Sequence, residues 1–498
     1  MVYKMTTYSL VQIVVIPVVT VPITYWAGRK VQKKAGWVTF ASLAYTTLLI
    51  AGLGLTFGGS IAYREDFVWV PSLNLKFGLL LDGLNLPILV TISFLCTLIA
   101  VYSMTYMHHS IGESPSGYAS YFSLYQLYAA GMMGTVLATN LIEFYLFFEL
   151  MLVPSWALIN SFGTGERERI ALMYFMWTHV GAVCLLAGIL TAYAKLGTFE
   201  IASLKMLAGD PIVPWIAVAM LIGFFTKMAV FGLHIWLPYA HAEAPTPISA
   251  LLSPAMIGIG AYATVRIVVS SFTSTFLAMG DVLSVWALVT MIYGGLMALA
   301  QDDIKRLLAY SSISQMGYLL LGISSSAELG IAGSMFHYVS HATCKGILFL
   351  AAGILIYQLD GTRSIKKLGG LAAKMPITAL AFILGFLGIA GTPPLNGFQS
   401  EWMLFSGVFT GAINSSQPRL LIAILSIIST VLTAGYALWT IRRIFFGPLP
   451  DNLKTAKEAP ISMTAPLIIL AVVSIIIGIY PRLVTDFIIP AISHIFSN

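Results

Sequence analysis

The sequence predicts an all-α membrane protein of about fourteen transmembrane helices, built as two inverted five-helix repeats that each contain a broken helix. Three observations carry that expectation. Of 498 residues, 58% are hydrophobic and the mean hydropathy is +0.89, more apolar surface than a soluble domain could hide. Apolar runs repeatedly reach the ~20 residues needed to cross hydrocarbon. Charged residues make up only 9% of the chain, yet several sit inside those runs.

Taken in order, the runs fall near 8–26, 37–58, 79–104, 118–139, 141–162, 170–194, 213–237, 247–270, 278–300, 304–323, 328–358, 377–410, 420–445 and 463–489. Backbone groups must be paired within lipid, so each is read as a helix. The first run follows Met1–Tyr8, which has neither a basic leader nor a small-residue cleavage site, so a retained helix is expected. The mixed polar and aromatic segment Ala62–Lys76, with Trp69 and Pro71, is expected to form a short hairpin on the outer side. The runs near 328–358 and 377–410 are too long for straight crossings and are expected to tilt, bend or break.

Two places read as interruptions at membrane depth. Lys227 precedes Ala229, Gly232 and His234, and Gly391-Thr-Pro393-Pro394-Leu-Asn396-Gly397 precedes Glu401. Freed backbone groups in such breaks usually line a cavity or ion path. The breaks lie in the seventh and twelfth runs. An odd separation of five reverses orientation in the membrane, which predicts repeats over 118–270 and 278–445 within one membrane domain, 1–498.

The formal net charge of +6 reflects loop lysines and arginines rather than a nucleic-acid surface. Loops after odd-numbered helices carry most of them, among them Arg29, Lys30, Lys33, Lys34, Arg363, Lys366, Lys367, Arg442 and Arg443. The positive-inside rule therefore puts those loops in the cytoplasm and both termini on the outer side. Cys96, Cys184 and Cys344 form no paired motif, and the chain has neither a Walker loop nor a dinucleotide GxGxxG. No cofactor is expected, and energy must come from a partner or an ion gradient.

A charge at the bilayer centre costs at least ~2.5–3.5 kcal/mol, so the ionisable residues inside the runs call for a reason. Glu149, flanked by Phe147, Phe148 and Leu150, is either a proton carrier or a neutral hydrogen-bonded core residue. Glu143, nearer the helix end, reads as interfacial. Lys227 sits too deep to reach water easily, and desolvation lets a lysine alternate between ammonium and amine as an arginine cannot. His337, His341 and Lys345, at i, i+4 and i+8, share one helical face. A proton wire, a metal pair or a polar seam would each explain that face. Glu401 ends the row as an acceptor, or is interfacial. Lys305 in DIKR is either part of the row or an ordinary positive charge at a cytoplasmic end, and His234 either bridges the broken helix or caps one half.

Three stretches, LHIWLPYAHAEAPTPISALL, QDDIKRLLAYSSISQMGY and GTPPLNGFQSEWMLF, resemble the antiporter-like subunits of respiratory complex I and its relatives, which include multisubunit cation/proton antiporters and membrane-bound hydrogenases. The resemblance covers nearly the whole chain. The number of runs and the acid after the second break are most similar to the subunit M type (chain 4 of NADH-quinone oxidoreductase), and the AHAEAPTPISALLSP wording is similar to archaeal versions.

The resemblance implies a pairing of Glu149 with Lys227, a relay through Lys305, His337, His341 and Lys345, and a terminal acid at Glu401. It implies a non-redox subunit in a prokaryotic cytoplasmic membrane, with neighbouring membrane subunits as partners and electron transfer in peripheral redox subunits. An antiporter without redox partner and a non-conducting scaffold remain the alternatives. Three departures stand out. Gly258 occupies the place in MIGIGAYATVR where many relatives carry a lysine or histidine; Ala229 and Gly232 replace prolines of the first break; and Lys345 resembles the subunit L and N types. The row around Lys345 is expected to take over the relay that Gly258 cannot supply.

Overall fold

The computed structural model describes residues 2–4, 8–56, 62–73, 75–413, 415 and 417–497. Polar links, prolines and glycines divide the apolar runs into a succession of helices. The first are α1 (Ser9–Val19), α2 (Val21–Val31), α3 (Gly36–Thr56), α4 (Leu86–Ile111), α5 (Pro115–Leu137), α6 (Leu141–Phe162) and α7 (Arg167–Leu196). Next come α8 (Val213–Met228), α9 (Trp236–Glu243), α10 (Thr246–Leu251), α11 (Ile259–Ala263), α12 (Thr273–Ala278), α13 (Gly280–Leu299) and α14 (Ile304–Ser324). The last are α15 (Glu328–Gln358), α16 (Pro376–Ile389), α17 (Asn396–Ile413), α18 (Gln417–Phe445), α19 (Ile461–Ile479) and α20 (Arg482–Phe496).

Local chemistry sets many boundaries. Proline stands in the first turn of α4, α5, α8, α10 and α16, where its missing N–H costs no helical bond. Asn140 accepts from the Glu143 N–H at 2.8 Å to start α6, and Asp303 accepts from Lys305 and Arg306 at 2.8 and 3.0 Å to start α14.

Among the described residues, 10 segments are long and apolar enough to cross a membrane, counting Ser9–Thr56 as one. Two shorter apolar helices, α8 and α16, end at the breaks. Length and hydropathy alone thus do not reproduce the expected fourteen, because breaks and fused runs blur the count. Both expected interruptions are present, α8 stopping before α9 and α16 before α17. Of the expected tilt, bend or break, the other long run takes no break: α15 continues for 31 residues, about 46 Å of helix against a ~30 Å hydrocarbon core. It contains no proline to stop it. The eighth run carries an irregularity that its sequence does not announce, π-helical stretches at Leu252–Met256 and Thr264–Val269 on either side of Gly258.

Burial separates inner from outer helices. In the hydropathic windows of α14 and α15, 94% of residues are buried, and in that of Thr246–Val269 all are, against 39% for α7 and α18. The ionisable row therefore lies largely on inner helices, while α7 and α18 present apolar side chains outward.

At one end a three-stranded sheet covers the bundle. β1 (Val2–Lys4) runs parallel to β2 (Ala62–Val70), which pairs antiparallel with β3 (Leu75–Leu81), Phe67 opposite Phe77. The expected hairpin is there and reaches on to Leu81; Asn74 lies outside the described residues. At the other end the links are tied together: Ile304 N–H donates to the Arg363 carbonyl at 3.0 Å, Ile365 N–H to the Asp302 carbonyl at 2.7 Å, and Thr164 N–H to the Glu243 carbonyl at 2.9 Å. The hydroxyl of Ser364 and the amide of Lys366 donate to the Asp302 carboxylate. Burial pushes that carboxyl up, but those donors and the charges of Lys366 and Arg443 outweigh it, leaving Asp302 below the usual carboxylate range.

Candidate proton path

The first break carries Lys227 in the last turn of α8. Ala229 takes the left-handed conformation at φ 56°, and the Val230 N–H returns to the Phe225 carbonyl at 3.2 Å. The carbonyl end of α8 is a favourable place for a cation. Three indoles satisfy the carbonyls that the break frees: Trp236 donates to Thr226 at 3.0 Å, Trp177 to Leu233 at 3.0 Å and Trp286 to Phe231 at 2.8 Å. His234 accepts from the Gly232 N–H through Nδ1 at 3.1 Å, leaving Nε2 to donate to the Tyr293 hydroxyl at 3.1 Å. It caps the turn and ties it to α13, and does not bridge the two halves of the helix.

Lys227 is 1% exposed. Its Nζ has no hydrogen-bond partner and lies 4.5 Å from the centre of the Phe148 ring, over its face. Glu149 does not pair with it directly. Glu149 instead meets His179 of α7, Oε2 to Nδ1 at 3.2 Å, while its Oε1 is unpartnered. The expected pair is thus near but not in direct contact in this structure, with Phe148 beside the ammonium. His179 was missed by sequence reasoning; its signal was a histidine within the run 170–194.

The middle of the row is deeply enclosed. Lys305 is 3% exposed, and its Nζ donates to the carbonyls of Ala242, at 3.3 Å, and Ala244. It caps the second half of the first broken helix, which excludes the reading as a solvated end charge. Near it is a residue the sequence did not single out although it lies in the AHAEAP motif: His241, fully buried, stacked on Phe349, with neither ring nitrogen partnered.

All three predicted residues of α15 are buried; Lys345 finds its partners on α14, and His337 one on α14 and one on α17. His337 meets Gln315 at 2.7 Å and Ser400 at 3.0 Å; Lys345 donates to the Leu308 carbonyl at 3.1 Å and to the Ser311 hydroxyl. His341 between them has no partner on either nitrogen. The three do not bond to one another, so a wire along this face needs water between them. Among the described residues no group of three or more His, Cys, Asp or Glu could hold a metal ion.

Gly258 has a structural counterpart. A Cβ there would strike the ring of Tyr338, whose hydroxyl donates to the Ala255 carbonyl inside the π-helical stretch. An aromatic ring fills the space that a side chain at Gly258 would need.

The second break is organised by Asn396, which starts α17. Its Nδ2 donates to Thr343 at 2.8 Å, and its Oδ1 accepts from Ser474 at 2.8 Å and from the Cys344 thiol at 3.5 Å. Ser340 donates to its carbonyl at 3.1 Å. Glu401 follows one turn later, its Oε1 unpartnered and its Oε2 against Gly391. Its neighbour Trp402 is 67% exposed, which puts this end of the row near the outer surface of the bundle.

A family model described as NADH:quinone oxidoreductase/Mrp antiporter, TM, matches residues 138–433, more than half of the chain. The chain belongs to this family. A second model, for the N-terminal part of chain 5 of NADH-ubiquinone oxidoreductase (complex I), matches residues 67–122. NADH-quinone oxidoreductase subunit M of Rhodobacter capsulatus is 31% identical over 491 residues, covering 95% of this chain and 92% of that protein. The F(420)H(2) dehydrogenase subunit M of Methanosarcina mazei is 31% identical, with 96% of each chain covered. Among solved structures, a chain of the Mrp complex from a Dietzia species superposes with a TM-score of 0.88 at 23% identity, covering 99% of this chain and 98% of that one. That likeness shows the fold. With its apolar helices, this member of the complex I antiporter-like family is a multi-pass membrane protein whose solved relatives sit in multisubunit complexes.

Proposed function

We propose that this chain is the proton-translocating, antiporter-like subunit M of a complex I-like redox assembly, coupling electron transfer in partner subunits to proton movement. One observation carries the reading: the buried row Lys227, His241, Lys305, His341 and Lys345, several members of which lack a fixed partner, runs between the two broken helices. Such groups are rarely idle inside a membrane. Lys227 and Glu149 act as a pair that closes and separates; Lys305, His241 and the α15 face form the central relay; Glu401 ends it. The two breaks belong to inverted repeats over 118–270 and 278–445, and the termini and hairpin face the outer side of a prokaryotic cell membrane. Moving one proton against ~100 mV requires ~2.3 kcal/mol, and one pKa unit is worth 1.36 kcal/mol, so closing and opening one ion pair is of sufficient scale.

The test is purification with native partners. Copurification of iron–sulfur and quinone-site subunits, together with loss of redox-driven acidification in Lys227→Met, supports the proposal. A complex without redox subunits that exchanges sodium for protons establishes the antiporter reading. Full pumping by both Lys227→Met and Glu149→Gln leaves only a scaffold.

A further inference from the structure

We propose that Glu143 is a proton-exchange site at the hairpin-side end of the bundle, passing protons between the first broken helix and water in a vestibule beneath the hairpin. This rests on the proton-translocating reading above. Sequence position suggested an interfacial glutamate, but the residue is only 1% exposed. The first turn of α6 places it under β3, where its Oε2 accepts from the Gly78 N–H at 3.1 Å and from Asn140 Nδ2 at 3.0 Å. Its Oε1 has no partner. A buried carboxyl oxygen left free costs stability unless a proton or water satisfies it.

A route for that water lies alongside. Thr139, whose hydroxyl is also buried and unpartnered, stands against Gly78, the residue that donates to Glu143. Thr139 also lines a cavity of about 150 Å³ together with Arg64, Glu200, Lys205 and Arg266. At ~30 Å³ per molecule the cavity holds several waters with ample polar partners. The rim is charged and half-open: Arg64 pairs with Glu200 at 3.1 Å and with Asp66 at 2.9 Å, with side-chain exposures of 28%, 26% and 22%.

On the inner side the connection is aromatic. Phe144 stacks on Phe148 at 5.8 Å and meets Phe224 edge-on at 5.8 Å, and Phe148 lies under Lys227. Such a dry stretch passes protons only when it opens to water, so it separates the Lys227 site from the vestibule and acts as a gate. The chemistry is a simple exchange. When the gate wets, an entering water gives up a proton to Glu143 Oε1 and is reprotonated by the Lys227 ammonium, which becomes the amine. The carboxyl O–H bond then breaks toward a vestibule water, which leaves as hydronium. The carboxylate left behind is held by the Gly78 and Asn140 donors, which suit the charged form.

The experiment uses the whole assembly in sealed vesicles, driven by its own electron donor. Glu143→Gln keeps an acceptor for Gly78 and Asn140 but cannot exchange the proton. Redox-driven proton flux through this subunit is expected to fall about 10²-fold, the low end of a general acid–base contribution. An infrared carboxyl band that appears during turnover in the wild type should also be lost. Thr139→Val leaves the bonds of Glu143 in place and should slow proton release, which keeps the test decisive if Glu143→Gln fails to assemble. Unchanged flux in Glu143→Gln or Thr139→Val, with Lys227→Met inactive, overturns the site and leaves Glu143 a structural acceptor. Unchanged flux in all three overturns the proton-translocating reading as well.

Discussion

The two broken helices solve one problem with different side chains. At the first, the freed carbonyls receive three tryptophan N–H groups, and the turn is closed by His234 and a left-handed Ala229. At the second, one amide, Asn396, gathers Thr343, Ser474 and Cys344 around the start of α17. The charged residues differ in the same sense. Lys227 stands at the carbonyl end of a half-helix, where the backbone itself favours a cation. Glu401 is the sixth residue of α17, already past the turn where exposed N–H groups would favour an anion. The first break thus places its charge at the end of a half-helix, and the second holds backbone geometry, with its acid further along.

The largest expected effect separates the charges. Lys227→Met should abolish redox-driven proton uptake in vesicles, whereas Glu401→Gln should leave a measurable residue of pumping; equal loss in both would erase the distinction. Lys345→Met should match Lys227→Met, because Tyr338 leaves no room for a base at Gly258. Wild-type pumping in that variant would remove α15 from the path.

Stability measurements address the scaffolds of the breaks. Asn396→Ala strips three side-chain partners at once and should cost about 2–4 kcal/mol in thermal or denaturant unfolding. Trp286→Phe leaves a single carbonyl, that of Phe231, unpaired, and should cost about 1–3 kcal/mol. If Trp286→Phe proves the worse of the two, the amide hub is not what holds the second break.

Two smaller effects remain. The Asp302 carboxyl lies below its ordinary value, so its contribution is present above the unfolded carboxylate pKa and is lost as pH falls through the folded one. The melting temperature of wild type should therefore approach that of Asp302→Asn in acid and exceed it at neutral pH. Ala229→Gly should stabilise by about 0.5 kcal/mol, relief of the left-handed strain at φ 56° slightly exceeding the extra chain entropy of glycine. Destabilisation would mean that the methyl group packs better than the strain costs.

Much of this was legible in one sequence. Lys227, Lys305, His337, His341, Lys345 and Glu401 announce themselves because charge inside a membrane-length run is expensive, and both breaks are written in glycine and proline. Glu143, His179 and His241 were harder to read. A glutamate near a helix end looks interfacial until a hairpin folds over it, and a histidine in an apolar run gives no sign of the neighbouring helix it faces.

By itself, the sequence determined the helical membrane class, the two interruptions and the ionisable inventory, because hydropathy, backbone satisfaction and desolvation act on the local chain. Only the tertiary structure decided who meets whom. It set Phe148 beside Lys227 and Glu149 beside His179, Tyr338 into the space at Gly258, and β3 over Glu143. Those contacts join residues far apart in the chain, and packing fixes them only once the helices have docked.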